Sequence, residues 1–190
     1  MANIKSIKYL TQDELKRLLG VIESKRDSAI FRVAYYHGLR ASEVGMLKVE
    51  DVNLPRGRIR IIRQKHSLGG EYPMHPSEVK AIKAWAKDRK DSNPWLFPTQ
   101  RGSPVSRFTL DKLMKHYGKK AEIPEDKRHF HVLKHSIATH MLDAGSDIRS
   151  VQDWIGHANI ANTVIYAQIS NRARDELARK LMTSPMIVGT

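Results

Sequence analysis

The chain has 190 residues, which is enough for one sizeable hydrophobic core and short for two, so a single domain over residues 1–190 is expected. Its 33 Lys and Arg against 20 Asp and Glu give a formal net charge of +13, which points to a polyanionic partner, and the spread of basic residues along the chain favours nucleic acid over a membrane surface. The absence of cysteine excludes disulfides, iron–sulfur clusters and cysteine-ligated zinc, and without an apolar run of roughly 18 residues or a signal sequence the protein is expected to be cytoplasmic.

The first third of the chain is predicted to be helical. Thr11 and Glu14 have the spacing of a capping box, and the leucines that follow them at helical intervals predict a helix over about residues 11–24. A second helical pattern ends at Gly38, and the segment SEVGML begins a third helix. Arg40 is therefore expected in the tight joint between the second and third helices.

The middle of the chain changes to an alternating pattern. The segments RIRIIRQ and EYPM have the period of two that is typical of strands, and KHSLGG between them predicts the turn of a β-hairpin. Pro76 opens the next predicted helix, in which Trp85 belongs to the buried face, and Ser106 caps the helix after it. A polar loop, AEIPEDKRH, then leads to the segment FHVLKHSIATHMLDAG.

The last third of the chain is predicted to be helical again. The segment FHVLKHSIATHMLDAG ends at Gly145 and has a buried stripe made of Leu133, Ile137, Met141 and Leu142. Asp147 caps a helix with Trp154 on its core side, a short helix carries Tyr166, and NRARDELARKLM forms a last helix. The expected fold class is therefore mainly α with a small antiparallel β-sheet or hairpin, an α+β fold.

The same segment, FHVLKHSIATHMLDAG, places four basic or titratable side chains within about three turns of helix. These are His131, Lys134, His135 and His140. His140 is expected on the flank of the helix and has no assigned role. His131 and His135 have the spacing of a zinc pair, but HVLKH lacks the glutamate of the H-E-x-x-H motif, which argues against metal binding.

Four ordered motifs carry a resemblance to a known family. GLRASEVGMLKVEDV, a basic hairpin with Lys65, HVLKHSIATHML and IGHANIANTVIYA resemble, in order and spacing, the catalytic domain of the tyrosine recombinases, the phage integrase family. The resemblance runs from YLTQDEL to the segment after Tyr166, which is nearly the whole chain. It implies the tyrosine recombinase catalytic-domain fold.

The resemblance also implies a set of active-site residues. Tyr166, nine residues after His157, would be the nucleophile that attacks a DNA phosphodiester. Arg40 and Lys134 would bind the phosphate oxygens, and His157 would donate a hydrogen bond to the phosphate. Lys65, or a basic neighbour within about two positions, would give a proton to the leaving oxygen. His131 would act as general acid/base. Glu43 and His135 match supporting positions.

Lys134 departs from the family pattern, which has arginine at this position. A guanidinium offers a planar fork to two phosphate oxygens, whereas an ammonium is a compact point charge on a flexible stem. The substitution keeps the charge and loses the bidentate geometry. Reduced activity, or a non-catalytic DNA-binding protein on the recombinase fold, is therefore an alternative that the sequence leaves open.

The chemistry implied by the resemblance requires no cofactor. A covalent 3′-phosphotyrosyl link would store the energy of the broken bond, so rejoining would require neither ATP nor a metal ion, and the sequence has no P-loop or carboxylate cluster. Recombination of DNA, in the form of integration, excision or inversion, is the expected function. Type IB topoisomerase activity shares this chemistry and stays open.

The expected partner is double-stranded DNA, with no membrane partner. Arg101, Arg107 and Lys115 are candidate phosphate contacts, although basic residues on a solvated surface would look the same. No N-terminal core-binding domain is expected in this sequence. By resemblance the protein would act as a homotetramer on DNA and could be a monomer in isolation, with residues 171–190 as a helix and tail that docks on a neighbouring protomer.

Three alternatives rest on single motifs. Tyr166 could be a core aromatic with its hydroxyl at the surface, and Arg40 could be a solvated cation at a helix C-terminus. IRSVQDWIGHANIANTVIY also resembles a helix-turn-helix with Gly156 at the turn, which would indicate a transcription factor. The other three motifs argue against that interpretation, because a plain regulator needs neither Arg40 nor a hairpin lysine.

Overall fold

The structure, a computed structural model, describes residues 7–63, 69–167 and 172–183, with only the backbone of residues 172–177. This part of the chain forms an α+β fold in which helices predominate. The helices are α1 Gln12–Gly20, α2 Lys25–Tyr36, α3 Ala41–Met46, α4 Pro76–Asp88, α5 Arg107–Lys120, α6 Val132–Asp143, α7 Ile148–Trp154, α8 Ala161–Ala167 and α9 Arg172–Thr183, and the strands are β1 Val52–Asn53, β2 Arg58–Ile61 and β3 Gly70–Pro73. Short 3₁₀ turns occupy Val49–Asp51 and Glu125–Lys127. No helix among the described residues has both the length and the apolar character that a bilayer span requires.

The capping residues predicted from the sequence begin their helices. Thr11 and Glu14 form the reciprocal capping box of α1, and the side chains of Ser106 and Asp147 cap α5 and α7. The first helix is shorter than predicted and ends at Gly20. Ser24 is instead the N-cap of α2, where its extended backbone and its side chain, which accepts from the Asp27 N–H, cannot belong to the preceding helix.

A three-stranded antiparallel sheet, in the order β1–β2–β3, replaces the simple hairpin that the sequence suggested. Strands β2 and β3 pair with Ile59 opposite Tyr72, and both side chains are buried. The strand β1 was not predicted because two residues are too few to show an alternating pattern. Most of the predicted turn KHSLGG lies outside the described residues.

Helix α6 lies at the centre of the fold and packs against α2, α7 and α8. The predicted single stripe is too narrow, because Lys134, Ser136 and Thr139 are buried while Met141 and Leu142 are only partly buried. A helix enclosed by neighbours on several sides buries polar side chains as well, provided that each finds a partner. Trp85 and Trp154 are partly buried against the core, as predicted.

His140, which the sequence placed on the flank of α6 without a role, is buried at 7% exposure. Its Nε2 lies 2.8 Å from the Leu10 carbonyl oxygen, and its Nδ1 lies 2.8 Å from the Tyr35 hydroxyl. Since a carbonyl can only accept, Nε2 carries the proton and Nδ1 accepts from Tyr35. Ser136 accepts from the Leu10 N–H at 2.8 Å, so α6 holds the segment before α1 at two points.

Candidate active site

Five parts of the chain meet at one face of the protein. They are the start of α3, Arg63 just after β2, the first turns of α6, the loop after α7, and α8. This face brings together most of the site residues predicted from the sequence. They are Arg40, Glu43, His131, Lys134, His135, His157 and Tyr166. Lys65 lies outside the described residues.

Gly38 determines how Arg40 enters the site. Its backbone has φ of +55°, and a Cβ at this position would lie 2.9 Å from the Ile155 side chain. The close approach brings the turn between α2 and α3 against the end of α7. Arg40 then forms the N-cap of α3, with its side chain 30% exposed toward the open side of the site.

Glu43 is the carboxylate on which the cations of the site converge. It is buried at 1% exposure, and it accepts from the Arg40 N–H at 2.8 Å, the Arg40 guanidinium at 2.8 Å and the Arg63 guanidinium at 3.1 Å. Burial alone would raise the pKa of Glu43, but the Arg40 N–H and the charges of Arg63, Lys134 and Arg40 together lower it. Glu43 therefore stays ionised.

Arg63 is a member of the site that the sequence covered only as a basic neighbour of Lys65, and its structural role was not predicted. Its buried guanidinium donates to Glu43 and to the carbonyl oxygens of His37, Gly38 and Trp154, at distances from 2.8 to 3.3 Å. It therefore ties the end of α2 to the end of α7. The period of two in RIRIIRQ contained the signal, because Ile59 and Ile61 are buried and Arg63 falls on the same side.

Lys134 is buried at 1% exposure, and its ammonium donates to the Ile155 carbonyl oxygen at 2.6 Å. Desolvation, followed by the charges of Arg40 and Arg63, lowers its pKa to about 7, against the opposing effect of Glu43. Lys134 thus lies beside Arg40, Arg63 and Glu43, where the cations exceed the charge of the one carboxylate. Such an arrangement favours binding of an anion.

The two histidines at the start of α6 lie at the rim and the interior of the site. His131 is exposed at the rim, and its ring makes an edge contact with His135 at a centroid distance of 4.4 Å. Desolvation and the nearby His131, His129 and Lys134 lower the pKa of His135 to about 3, so its imidazole is neutral at pH 7. Desolvation and Lys134 also lower the pKa of His131.

Tyr166 lies at the floor of the site with 1% of its surface exposed. Its hydroxyl is hydrogen-bonded to His135 Nδ1 at 2.9 Å, and its ring stacks on that of His157 at a centroid distance of 6.2 Å. Burial raises the pKa of Tyr166, against a lowering effect of Arg40. The core-aromatic interpretation is therefore right about the ring and wrong about the hydroxyl, which points into the site instead of to the surface.

His157 follows α7 and is buried at 7% exposure. Its Nδ1 lies 3.1 Å from the Thr163 hydroxyl of α8, which fixes the ring beside Tyr166. Desolvation, with Lys134 and Arg40 as the next causes, lowers its pKa to about 3. His157 is therefore a neutral hydrogen-bonding group at pH 7.

A basic cleft of about 750 Å³ opens from this face between α3 and α5. Arg40 and His131 line this cleft, and so do Arg107 and Lys115 of α5, two of the residues predicted to contact DNA. Arg101 is exposed but does not line this cleft. A second cavity, of about 600 Å³ between α4 and the segment around Pro94, contains none of the site residues.

His131 and His135, the residues of the zinc-pair alternative, lie with their rings in edge contact. His135 Nδ1 is engaged by the Tyr166 hydroxyl. Within the described ranges, no group of three or more His, Cys, Asp or Glu side chains is placed to hold a metal ion.

Comparisons with known proteins match nearly the whole chain. Residues 8–172 match the Phage integrase family. Tyrosine recombinase XerA of Pyrococcus horikoshii is 36% identical over 185 residues, which cover 96% of this chain and 64% of that protein. A crystal structure of XerA recombinase has a TM-score of 0.80 at 33% identity, over 91% of this chain and 64% of that one. XerH site-specific recombinase, bound to palindromic difH substrate in a post-cleavage complex, has a TM-score of 0.80 at 25% identity, over 95% of this chain and 54% of that one. The chain thus spans less than two thirds of the length of these proteins.

Proposed function

The chain belongs to the phage integrase family of tyrosine recombinases, and we propose that it cleaves and rejoins DNA at specific sites through a 3′-phosphotyrosyl link to Tyr166. One observation carries the proposal: the Tyr166 hydroxyl lies at the floor of a face on which Arg40 and Arg63 hydrogen-bond to Glu43, and Lys134 lies near enough to lower the pKa of Glu43. Because three cations surround one carboxylate, this face favours binding of a negatively charged phosphodiester next to the Tyr166 hydroxyl.

Arg40 and Lys134 are the residues that bind the scissile phosphate in this proposal. Arg40 is partly exposed and presents its guanidinium to an incoming phosphate, while Glu43 holds the side chain in place. Lys134 is already stripped of solvent and fixed by the Ile155 carbonyl, so it need not be reorganised during the reaction. Preorganised donors of this kind are typically worth about 2.7–4 kcal/mol each in the transition state.

The proposed chemistry is an in-line displacement on phosphorus. The Tyr166 oxygen forms a bond to phosphorus, the bond to the 5′ oxygen breaks, and that oxygen takes a proton from Lys65 of the hairpin. His131, exposed at the rim, assists as general acid/base, and His157 hydrogen-bonds a phosphate oxygen. Rejoining reverses these steps with the 5′ hydroxyl as nucleophile, so no ATP is consumed.

Double-stranded DNA is the proposed partner, and the basic cleft is the proposed path of the duplex away from the scissile phosphate. Arg107 and Lys115 neutralise phosphates along it, and Arg101 could only contact a more distant part of the duplex. The formal net charge of +13 supports this partner. A solved relative, XerH, carries its difH substrate.

Assembly into a tetramer on DNA belongs to the same proposal. In it, residues 171–190 dock on a neighbouring protomer. The described side chains at the end of α9 are compatible with this role, since Leu181 is 46% exposed and Met182 is 82% exposed. Truncation after Thr183 should then weaken synapsis before it weakens binding to a single site, and an unchanged recombination rate would remove this part of the proposal.

A covalent-trapping assay tests the proposed function. Duplexes that contain candidate sites from DNA flanking the coding sequence, with a nick or a 5′-bridging phosphorothiolate, are incubated with wild-type protein and with Tyr166→Phe. A slow protein–DNA band on a denaturing gel is expected for wild type alone. If both proteins bind the duplex and neither forms the band, the site is non-catalytic, which is the alternative that the family comparisons do not favour.

A further inference from the structure

The Tyr166 hydroxyl and His135 Nδ1 form the shortest link between the proposed nucleophile and a titratable side chain of the site, at 2.9 Å. We infer that His135 is the general base of the reaction: its Nδ1 takes the proton from Tyr166 as the tyrosine oxygen attacks phosphorus. This inference rests on the proposed function. It assigns a catalytic role to a residue that the sequence had placed only among supporting positions.

The direction of the hydrogen bond follows from burial. Tyr166 is 1% exposed, so its hydroxyl proton requires an acceptor within the protein, and His135 Nδ1 is the acceptor at hand. The imidazole is neutral, because desolvation lowers its pKa to about 3, and a neutral imidazole has one bare nitrogen. Nδ1 is therefore the bare nitrogen and Nε2 carries the proton.

A second pair on the same helix adopts this arrangement by necessity. Five residues along α6, His140 donates from Nε2 to the Leu10 carbonyl, so its Nδ1 must accept from the Tyr35 hydroxyl at 2.8 Å. The two pairs have the same atoms at nearly the same distance. His140 is therefore a matched control, since it lies outside the candidate site.

The charges around His135 explain why the proton stays on Tyr166 until DNA binds. Desolvation and the charge of Lys134 disfavour a positive charge on His135, and protonation of His131, His129 or His157 would disfavour it further. Tyr166, on α8, has its own pKa raised by burial. A phosphodiester bound by Arg40 and Lys134 adds a negative charge that offsets the charge of Lys134 and raises the basicity of His135. Binding of the substrate thus makes His135 basic enough to accept the proton of Tyr166.

Proton transfer accompanies the attack on phosphorus in the proposed step. The Tyr166 O–H bond breaks, its proton bonds to the Nδ1 lone pair, and the tyrosine oxygen bonds to phosphorus. The bond from phosphorus to the 5′ oxygen breaks, and the leaving oxygen takes a proton from the acid of the site. His135 is left as a cation, which returns its proton to Tyr166 when the strand is rejoined.

The first test does not depend on activity. Imidazole ¹⁵N spectra of the free protein should show His135 with a bare Nδ1 and a protonated Nε2, and Tyr166→Phe should shift the His135 Nδ1 resonance while leaving that of His140 in place. A proton on His135 Nδ1 would overturn the assignment. This result can be obtained even if no DNA substrate is cleaved, so failure of the proposed function and failure of the base assignment are separable.

The second test separates a base from a residue that only positions Tyr166. His135→Asn places an amide oxygen near the position of Nδ1, so it can accept the hydrogen bond but cannot take the proton. On a phosphorothiolate duplex, whose leaving group needs no general acid, its single-turnover cleavage should fall by about 10²–10⁴-fold with unchanged DNA binding. The matched variant His140→Asn should cleave at the wild-type rate per folded molecule.

A pH profile completes the second test. In a Lys134→Arg background, where the phosphate-binding charge persists above neutral pH, cleavage by His135→Asn should rise with pH as Tyr166 loses its proton to solvent instead. A positioning role would give no such rise. Cleavage by His135→Asn within a few-fold of the parent rate, or faster cleavage by His135→Ala, would overturn the inference, and the latter would mean that His135 holds the nucleophile back.

Discussion

Helix α6 carries two histidine–tyrosine pairs, His135 with Tyr166 and His140 with Tyr35, on parts of its surface that behave differently. Both bonds use Nδ1, at 2.9 and 2.8 Å, and both tyrosines have their pKa raised by burial. The neighbours differ. The charge of Arg40 opposes the rise in the pKa of Tyr166, whereas Tyr36 raises the pKa of Tyr35 further.

The surroundings of the two imidazole rings also differ between the His140–Tyr35 pair and the His135–Tyr166 pair. His140 Nε2 is bound to the Leu10 carbonyl, which locks the ring into a structural clamp for the N-terminal segment. His135 instead faces the rim residue His131 and the buried cation Lys134. A buried hydrogen bond between histidine and tyrosine is therefore not by itself a reactive site, and the adjacent cations that can bind a phosphate give one pair its proposed chemistry.

Removal of the tyrosine hydroxyl should show the largest difference between the two histidine–tyrosine pairs. Tyr166→Phe should abolish covalent complex formation, a loss of about 10⁶-fold if it resembles the removal of other enzyme nucleophiles. Tyr35→Phe should leave cleavage intact and destabilise the fold by about 1–3 kcal/mol, because His140 Nδ1 loses its donor. Trapping gels and urea unfolding measure the two effects. Comparable cleavage by both variants would mean that Tyr166 is not the nucleophile.

Lys134→Arg should change how the Tyr166 side of α6 responds to pH. The folded-state pKa of Lys134 is about 7, below the ordinary value of 10.5, so its charge is lost as pH rises through 7. Single-turnover cleavage at subsaturating protein should therefore decline in wild type above pH 7, approaching about tenfold per pH unit. Lys134→Arg stays charged and should remove this decline.

The same shift has a consequence for stability. Between about pH 7 and 10.5 the unfolded chain binds a proton at Lys134 that the folded protein does not, so the contribution of Lys134 to the free energy of unfolding rises with pH over this interval. Urea unfolding of wild type and Lys134→Met at pH 7 and pH 9.5 checks the sign. An equal change with pH in both proteins would show that Lys134 is charged throughout.

Arg63→Met should test whether the cationic side of the site is held together by one buried guanidinium. We expect a loss of about 3 kcal/mol in the free energy of unfolding, because Glu43 loses a partner and three backbone carbonyls lose their donor. Arg58→Met, on the strand β2 and paired with Glu71 at the surface, is the control and should cost less than about 1 kcal/mol. Equal losses would contradict the organising role of Arg63.

Ser136→Ala should have the smallest effect and should act on the clamp side alone. Ser136 accepts from the Leu10 N–H, which is left unpaired by the substitution, so a cost of about 1–2 kcal/mol is expected. Thr139→Val is the control, because the Thr139 hydroxyl donates only within its own helix, to His135. Cleavage per folded molecule should be unchanged in both.

Several parts of the fold and of the site could be predicted because their signals are local in the sequence. The caps at Thr11, Ser106 and Asp147 begin their helices as predicted, since a capping side chain bonds to a backbone amide within three residues. The strands of the hairpin followed from the period of two. The ordered motifs around Arg40 and Tyr166 likewise identified the family, which the match over residues 8–172 confirms.

Other features required contacts between residues far apart in the chain. Ser24 was assigned to the first helix although it caps the second. The strand β1 was missed because its two residues are too few to show a pattern. The structural role of Arg63 was not predicted because its acceptors come from the ends of α2 and α7, up to 91 residues away. The roles of residues 64–68 and 184–190, which include Lys65, stay predictions from the sequence alone.

The sequence by itself determined which residue types lie on α6 and at what spacing, and hence that a basic, titratable segment belongs to a tyrosine recombinase domain. Only the tertiary structure decided which histidine meets which tyrosine. His135 finds its partner 31 residues ahead, whereas His140 finds Tyr35 and Leu10 at 105 and 130 residues behind. Burial, charge and hydrogen-bond partners are properties of the packed chain, so identical side chains five residues apart acquire different partners and different roles.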